Sequence, residues 1–170
     1  GAVSIVFTPV SAVPSGGTIT VTTPLNYFAA RSAGAPASGS SIACASACGG
    51  VSVGDVTVTN VGASGALTVV VSGGSTTASA ITVTLGAGTL TTGSPQASTS
   101  GGITVSTSRD YASVGVASQA LGGQVTVGTS LSLQDGDRVA HQSTSGAVSI
   151  VFTPVSDVPS GGTITITTPL

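Results

Sequence analysis

Two cysteines, one histidine and five aspartates are the residues here that could bind a metal, move a proton or support nucleophilic attack. Cys44 and Cys48 stand in Ile42-Ala43-Cys44-Ala45-Ser46-Ala47-Cys48. A redox C-x-x-C has two intervening residues rather than three, and a zinc site wants a second pair. A disulfide closing a local loop fits this spacing and implies an oxidising compartment; two small buried thiols are the alternative. His141 is the one imidazole. A Ser-His-Asp site would depend on it, but no Gly-x-Ser-x-Gly elbow is present, and it reads as a loop residue. Asp135 and Asp137 flank Gly136. Paired carboxylates can hydrolyse glycosides and clustered oxygens can hold calcium, but the longer acidic ladder and terminal Glu of an EF-hand loop are missing. Asp-Gly-Asp therefore reads as a turn. With no lysine in the chain, a P-loop is excluded. The expectation is a protein that is not an enzyme, with no catalytic, metal or cofactor-binding residues.

The abundant chemistry is hydroxyl chemistry. The chain holds 27 Ser and 26 Thr among 170 residues. Asn26 and Asn60 lack the Asn-x-Ser/Thr context for N-glycans. Hydroxyls and small residues beside proline are a compositional cue for O-linkage, which makes Thr8-Pro9, Thr23-Pro24, Ala35-Pro36, Ser94-Pro95 and Thr153-Pro154 candidates. Thr168-Pro169 shares the context. The competing explanation is that Thr is there for its β-propensity. Covalent glycans are the one non-protein group expected. Tyr27-Phe28 beside Arg31 is the place where aromatic stacking could meet a sugar; its alternative is an anchor at the end of a hairpin, packed in the core.

The charged fraction is 5%, against roughly 25% in an ordinary soluble domain. The net charge of -2 and the absence of a basic cluster argue against a nucleic-acid partner. No run of eighteen apolar residues argues for a membrane-spanning helix, and no signal peptide is recognisable. Forty per cent of residues are hydrophobic, but aromatics are 3% and Met and Trp are missing, so a core must be built from Val, Ile, Leu and Ala. Positive mean hydropathy sets the chain apart from disordered polar sequences.

These residues must be held by strands. Apolar and hydroxyl residues alternate over 3–8 and 18–23, with Pro14-Ser15-Gly16-Gly17 between them, which predicts a hairpin or a sandwich crossover. Similar runs cover 56–60, 67–72, 80–85, 103–108, 124–133, 148–153 and 163–168. Segments 29–50 and 87–100 read as loops. No segment keeps a helical period. The pattern predicts an all-β fold, a β-sandwich of Ig-like or jelly-roll-like type. Thr-x-Thr recurs at Thr18, Thr57, Thr82 and Thr163, but irregular spacing argues against a β-solenoid.

Residues 146–170 repeat residues 1–25 with two differences, Asp157 for Ala12 and Ile166 for Val21. The period is 145 residues, so the expected organisation is a repeat unit over 1–145 followed by the first hairpin of the next at 146–170, packed at the junction between units. Strand edges are usually protected by charges or proline, and these strands carry almost no charge. Either another unit covers the edges or glycans do. The repeat supplies a mechanism: Val148, Ile150, Phe152, Ile164 and Ile166 form an assembly segment that completes a neighbouring sheet by strand addition, with self as the partner. Such head-to-tail contacts need not close, and they make fibres.

The phrase Ile5-Val6-Phe7-Thr8-Pro9, followed by Val13-Pro14-Ser15-Gly16-Gly17-Thr18-Ile19-Thr20-Val21-Thr22, resembles the repeats of long secreted proteins of algae and other protists. Asp137-Arg138-Val139-Ala140 and Ser106-Thr107-Ser108-Arg109-Asp110 share the resemblance, which covers most of the period. It implies an extracellular β-sandwich repeat protein, similar to the glycan-coated fibrils of natural water, and it brings no catalytic residues. The expected function is thus a structural filament subunit at the cell surface or beyond it. A carbohydrate-binding adhesin or stalk-type spacer array is the alternative. Ice binding is a third reading, and it needs the Thr pairs aligned on one flat face.

Overall fold

The computed structural model describes all residues except 124–125, 135–137, 139–142, 159 and 168–170. Among the described residues nine strands run in order: β1 (Val3–Phe7), β2 (Thr18–Pro24), β3 (Ser41–Cys44), β4 (Ser52–Val61), β5 (Ser64–Ser72), β6 (Ile81–Leu85), β7 (Thr104–Thr107), β8 (Thr126–Ser132) and β9 (Ser149–Thr153). No helix occurs among the described residues. The chain divides into two compact units, Gly1–Leu121 and Gly122–Leu170. This division falls ahead of Gly146, where the sequence copy starts.

Unit 1 is a β-sandwich of two antiparallel sheets, with strand orders β1-β6-β3 and β4-β5-β2-β7. The segment between β1 and β2 is therefore a crossover between sheets rather than a hairpin. Alternation explains the layering, because successive side chains on a strand point to opposite faces. Ile19 and Val21 on β2, Leu67, Val69 and Val71 on β5, Val56 and Val58 on β4, and Ile81, Val83 and Leu85 on β6 are buried together, while the hydroxyl residues between them face outward. Registers such as Ile19↔Val69 and Val58↔Leu67 put apolar residue beside apolar residue across the strands.

Glycine supplies the turns that flank the central strands. Gly16 has φ 80° in the turn before β2, and Gly73 has φ 80° after β5, a region that β-carbon-bearing residues avoid. At Gly73 a Cβ would also lie 2.1 Å from the Gly50 carbonyl oxygen, so the position excludes side chains twice over.

Two expectations need correction. The segment 29–50 is not loop throughout: Ser41–Cys44 forms β3 at a sheet edge, because Ile42 fits opposite Val83 and is buried there. The alternation over 163–168 predicts a strand, but residues 163–167 form none, and Thr168 lies outside the described residues. The matching pattern at Thr18–Pro24 is a central strand held between β5 and β7, so the same alternation becomes a strand where partners are present.

Unit 2 contains the antiparallel pair β8-β9, with Ser130↔Val151, Leu131↔Ile150 and Ser132↔Ser149 in register and an irregularity towards Thr126↔Thr153.

Candidate assembly surface

The two copies of the repeated segment occupy different environments. In unit 1, Val13 and Ile19 are 0% exposed and Val21 is 3% exposed. Their counterparts in unit 2 are Val158, Ile164 and Ile166, exposed at 46%, 58% and 54%. Ile150 and Phe152 are half-buried and Val148 is exposed. Burying a large aliphatic side chain is worth about 1.5–3 kcal/mol, so seating these three in a core would contribute about 3 kcal/mol, offset by the matching side chains of the resident copy wherever they are displaced. The two differences between the copies are compatible with that core. Ala12 is exposed, so Asp157 could stand there in water, and Ile166 adds one methylene at the position of Val21.

Unit 1 shows what such a segment needs. β2 lies between β5 and β7. On the crossover before it, the Val13 amide donates to Thr76 Oγ1 (2.9 Å) and the Thr76 amide donates to the Val13 carbonyl (2.9 Å), a reciprocal clamp in the interior. The Ser11 amide donates to Asp110 Oδ2 (3.3 Å). Asp110 also accepts from Thr107 Oγ1 (3.1 Å), in a turn where the Arg109 and Asp110 amides donate back to that hydroxyl. These pins come from residues far away in sequence, and no local pattern announces them.

Other buried hydroxyls work in the same way. The Ala37 amide donates to Thr89 Oγ1 (2.9 Å), and the Thr99 amide donates to Ser118 Oγ (3.0 Å). Among the described residues no buried side-chain polar atom lacks a partner. A share of the hydroxyl excess is thus structural, satisfying backbone groups that loops would otherwise bury unpaired.

Cys44 and Cys48 form a disulfide with Cα atoms 5.8 Å apart, joining the end of β3 to the loop after it. The proline-linked candidates separate by exposure. Thr8, Ser94, Pro95, Thr153 and Pro154 are exposed, and Pro24 and Pro36 are half-buried. Pro9 and Thr23 are buried, with the Thr23 hydroxyl donating to the Pro24 carbonyl (3.2 Å). Burial takes these two out of reach of a glycan in the folded unit, a correction to their reading as acceptors.

Tyr27 and Phe28 pack edge to face with ring centroids 5.1 Å apart. Arg31 is turned towards its own loop and β4. Its guanidinium donates to the carbonyls of Gly34 (3.2 Å), Ala35 (2.8 Å) and Val56, tying the loop to β4. An open groove beside β4 is lined by Ala30, Arg31, Ser32, Thr57 and Thr59, without an aromatic face for a sugar ring. On the outer face of the larger sheet the registers set Thr57, Thr68, Thr20 and Ser106 in one row across four strands. Asp135, Asp137 and His141 lie outside the described residues. No cluster of three potential metal ligands occurs among those described. No protein-family model, curated protein or solved structure matches the chain.

Proposed function

We propose that this protein is a structural subunit of an extracellular filament, joined head to tail by β-strand addition through residues 146–170 and carrying O-glycans on exposed hydroxyls. One observation carries the reading. A segment whose near-copy is the buried centre of a sheet stands with Val158, Ile164 and Ile166 open to solvent. Exposed apolar surface of this kind marks an interaction site. A second copy of the chain offers the matching environment, the place that residues 1–25 occupy between β5, β6 and β7. The backbone ladder would supply affinity and the alternating side chains the register. The disulfide fits an oxidising, extracellular setting.

The test is the assembly state of the full chain. Sedimentation velocity and electron microscopy should find linear polymers that lengthen with concentration. The double variant Ile164→Asp/Ile166→Asp should remain monomeric while its unit 1 unfolds at the same temperature as the parent. A parent chain that stays monomeric at high concentration, or a variant that polymerises equally well, refutes the proposal.

The hydroxyl row on the larger sheet favours ice binding as a second reading, although sheet twist works against a flat face. Thermal hysteresis in dilute protein would support it, and normal freezing behaviour would remove it.

A further inference from the structure

β9 repeats β1 residue for residue, with Ser149, Ile150, Val151 and Phe152 standing for Ser4, Ile5, Val6 and Phe7. Their neighbours differ. Among the described residues β1 is an edge strand paired with β6, whereas β9 pairs with β8. The same strand sequence therefore accepts β6 in one unit and β8 in the other.

The open edge of β1 can be located atom by atom. The Ala45 amide donates to the Ala80 carbonyl (2.8 Å). In an antiparallel ladder, hydrogen-bonded pairs alternate along a strand. Thr82 and Thr84 therefore turn their backbone groups towards β3, and Ile81, Val83 and Leu85 turn theirs towards β1. By register these last three meet Phe7, Ile5 and Val3. That leaves the backbone groups of Ser4 and Val6 directed at the bare edge. The side chains tell the same story. Ile81, Val83 and Leu85 are fully buried, while their row-mates Phe7, Ile5 and Val3 are half-buried. The core is covered under β6 and incompletely covered at β1. The smaller sheet has three strands facing four.

We infer that β8 is the missing fourth strand, supplied by a second copy of this chain: residues 126–132 travel with residues 146–170 into the neighbour and lie along the outer edge of the strand that pairs with β6. This rests on the strand-addition reading above and deepens it, because it names a second strand that takes part in the joint. Residues 1–25 and 146–170 are nearly the same, so exchanging one for the other gains almost nothing by itself. The incoming hairpin carries β8 paired with β9, so the joint adds a ladder along the outer edge of the strand beside β6. The register observed for β8-β9 then sets Leu131 opposite the position of Ile5 and Ser130 opposite that of Val6.

The edge can be tested without relying on filaments. The full chain is extended ahead of Gly1 by a copy of residues 122–145, which places a β8 sequence before β1 as it stands before β9. Hydrogen exchange is then read at the Ser4 and Val6 amides, with a scrambled extension as control. Pairing with the added strand should slow these two amides by about tenfold or more, while Ile5, already bonded to β6, changes less. Exchange at Ser4 and Val6 equal to that of the scrambled control overturns the inference, whether or not the chain polymerises. In the unextended chain, scrambling residues 126–132 should raise the concentration needed for assembly by about tenfold. Assembly at the parent concentration would sink the role of β8 but leave addition through residues 146–170 standing.

Discussion

The same substitution made at the two copies of one residue separates folding from assembly. Ile19 is fully buried on a central strand, opposite Val69 on β5 and Thr107 on β7. Ile19→Ala removes three carbon atoms from a closed core and should cost about 2–5 kcal/mol in unit 1. Ile164 is the equivalent residue at 58% exposure. In dilute solution Ile164→Ala should change stability by no more than about 0.5 kcal/mol, as for other surface positions. Once the segment has entered a second copy, Ile164 occupies the site of Ile19, and the truncation cost reappears as lost association. At about 2 kcal/mol, the low end of that range, the concentration needed for assembly rises about thirtyfold. Urea unfolding followed by circular dichroism at low concentration gives the first quantity, and sedimentation across a dilution series gives the second. Equal destabilisation of the dilute chain by both variants would mean that the second copy is already packed. Unchanged assembly of Ile164→Ala would mean that residues 146–170 are not the joint.

Three further outcomes concern the hydroxyls and the disulfide. Thr76→Val keeps the shape of the side chain but leaves the buried Val13 amide without its acceptor, which should cost about 1–3 kcal/mol in chemical unfolding, with Thr76→Ser retaining most of the stability. Replacing Cys44 and Cys48 together by serine should lower stability by about 2 kcal/mol, since so short a loop gains little from closure, and reductant should have the same effect on the parent. Peptide mass spectrometry of native material should find hexose-type mass additions at exposed Thr8, Ser94 or Thr153 and none at Thr23, whose hydroxyl is buried and bonded within the sandwich.

The alternating runs and glycine turns made the sandwich legible, because period-two burial leaves its mark in any single strand. β3 escaped because its signal is one residue: Ile42 stands among Ser, Ala and Cys, and only the facing Val83 makes it a strand. The reverse error at 163–167 has the same origin. Thr-Ile-Thr-Ile-Thr has the pattern of a strand, yet a strand exists by virtue of partners that local sequence does not contain. The hydroxyl pins at Thr76, Thr89 and Ser118 were invisible for a further reason. Each joins residues at least nineteen positions apart, and in a chain with 53 hydroxyls nothing local distinguishes a buried acceptor from a surface one. The assembly segment was legible as a repeat; its exposure and the pairing of β8 with β9 were not.

Topology also constrains how joining could proceed. β1 lies at a sheet edge and can leave by breaking one ladder, but β2 is central and holds ladders to both β5 and β7. Replacing residues 1–25 in a folded unit therefore means opening the larger sheet and exposing Ile19, Val21 and the Val13 clamp together. That is most of a global unfolding event, and for small domains such events are slow. Two folded chains mixed at working temperature should thus join far more slowly than chains refolded together from denaturant, where both segments compete for an empty site. If mixing and co-refolding gave polymers at the same rate, the joint would lie at an edge that is already open, and exchange of the central strand would be ruled out as its mechanism.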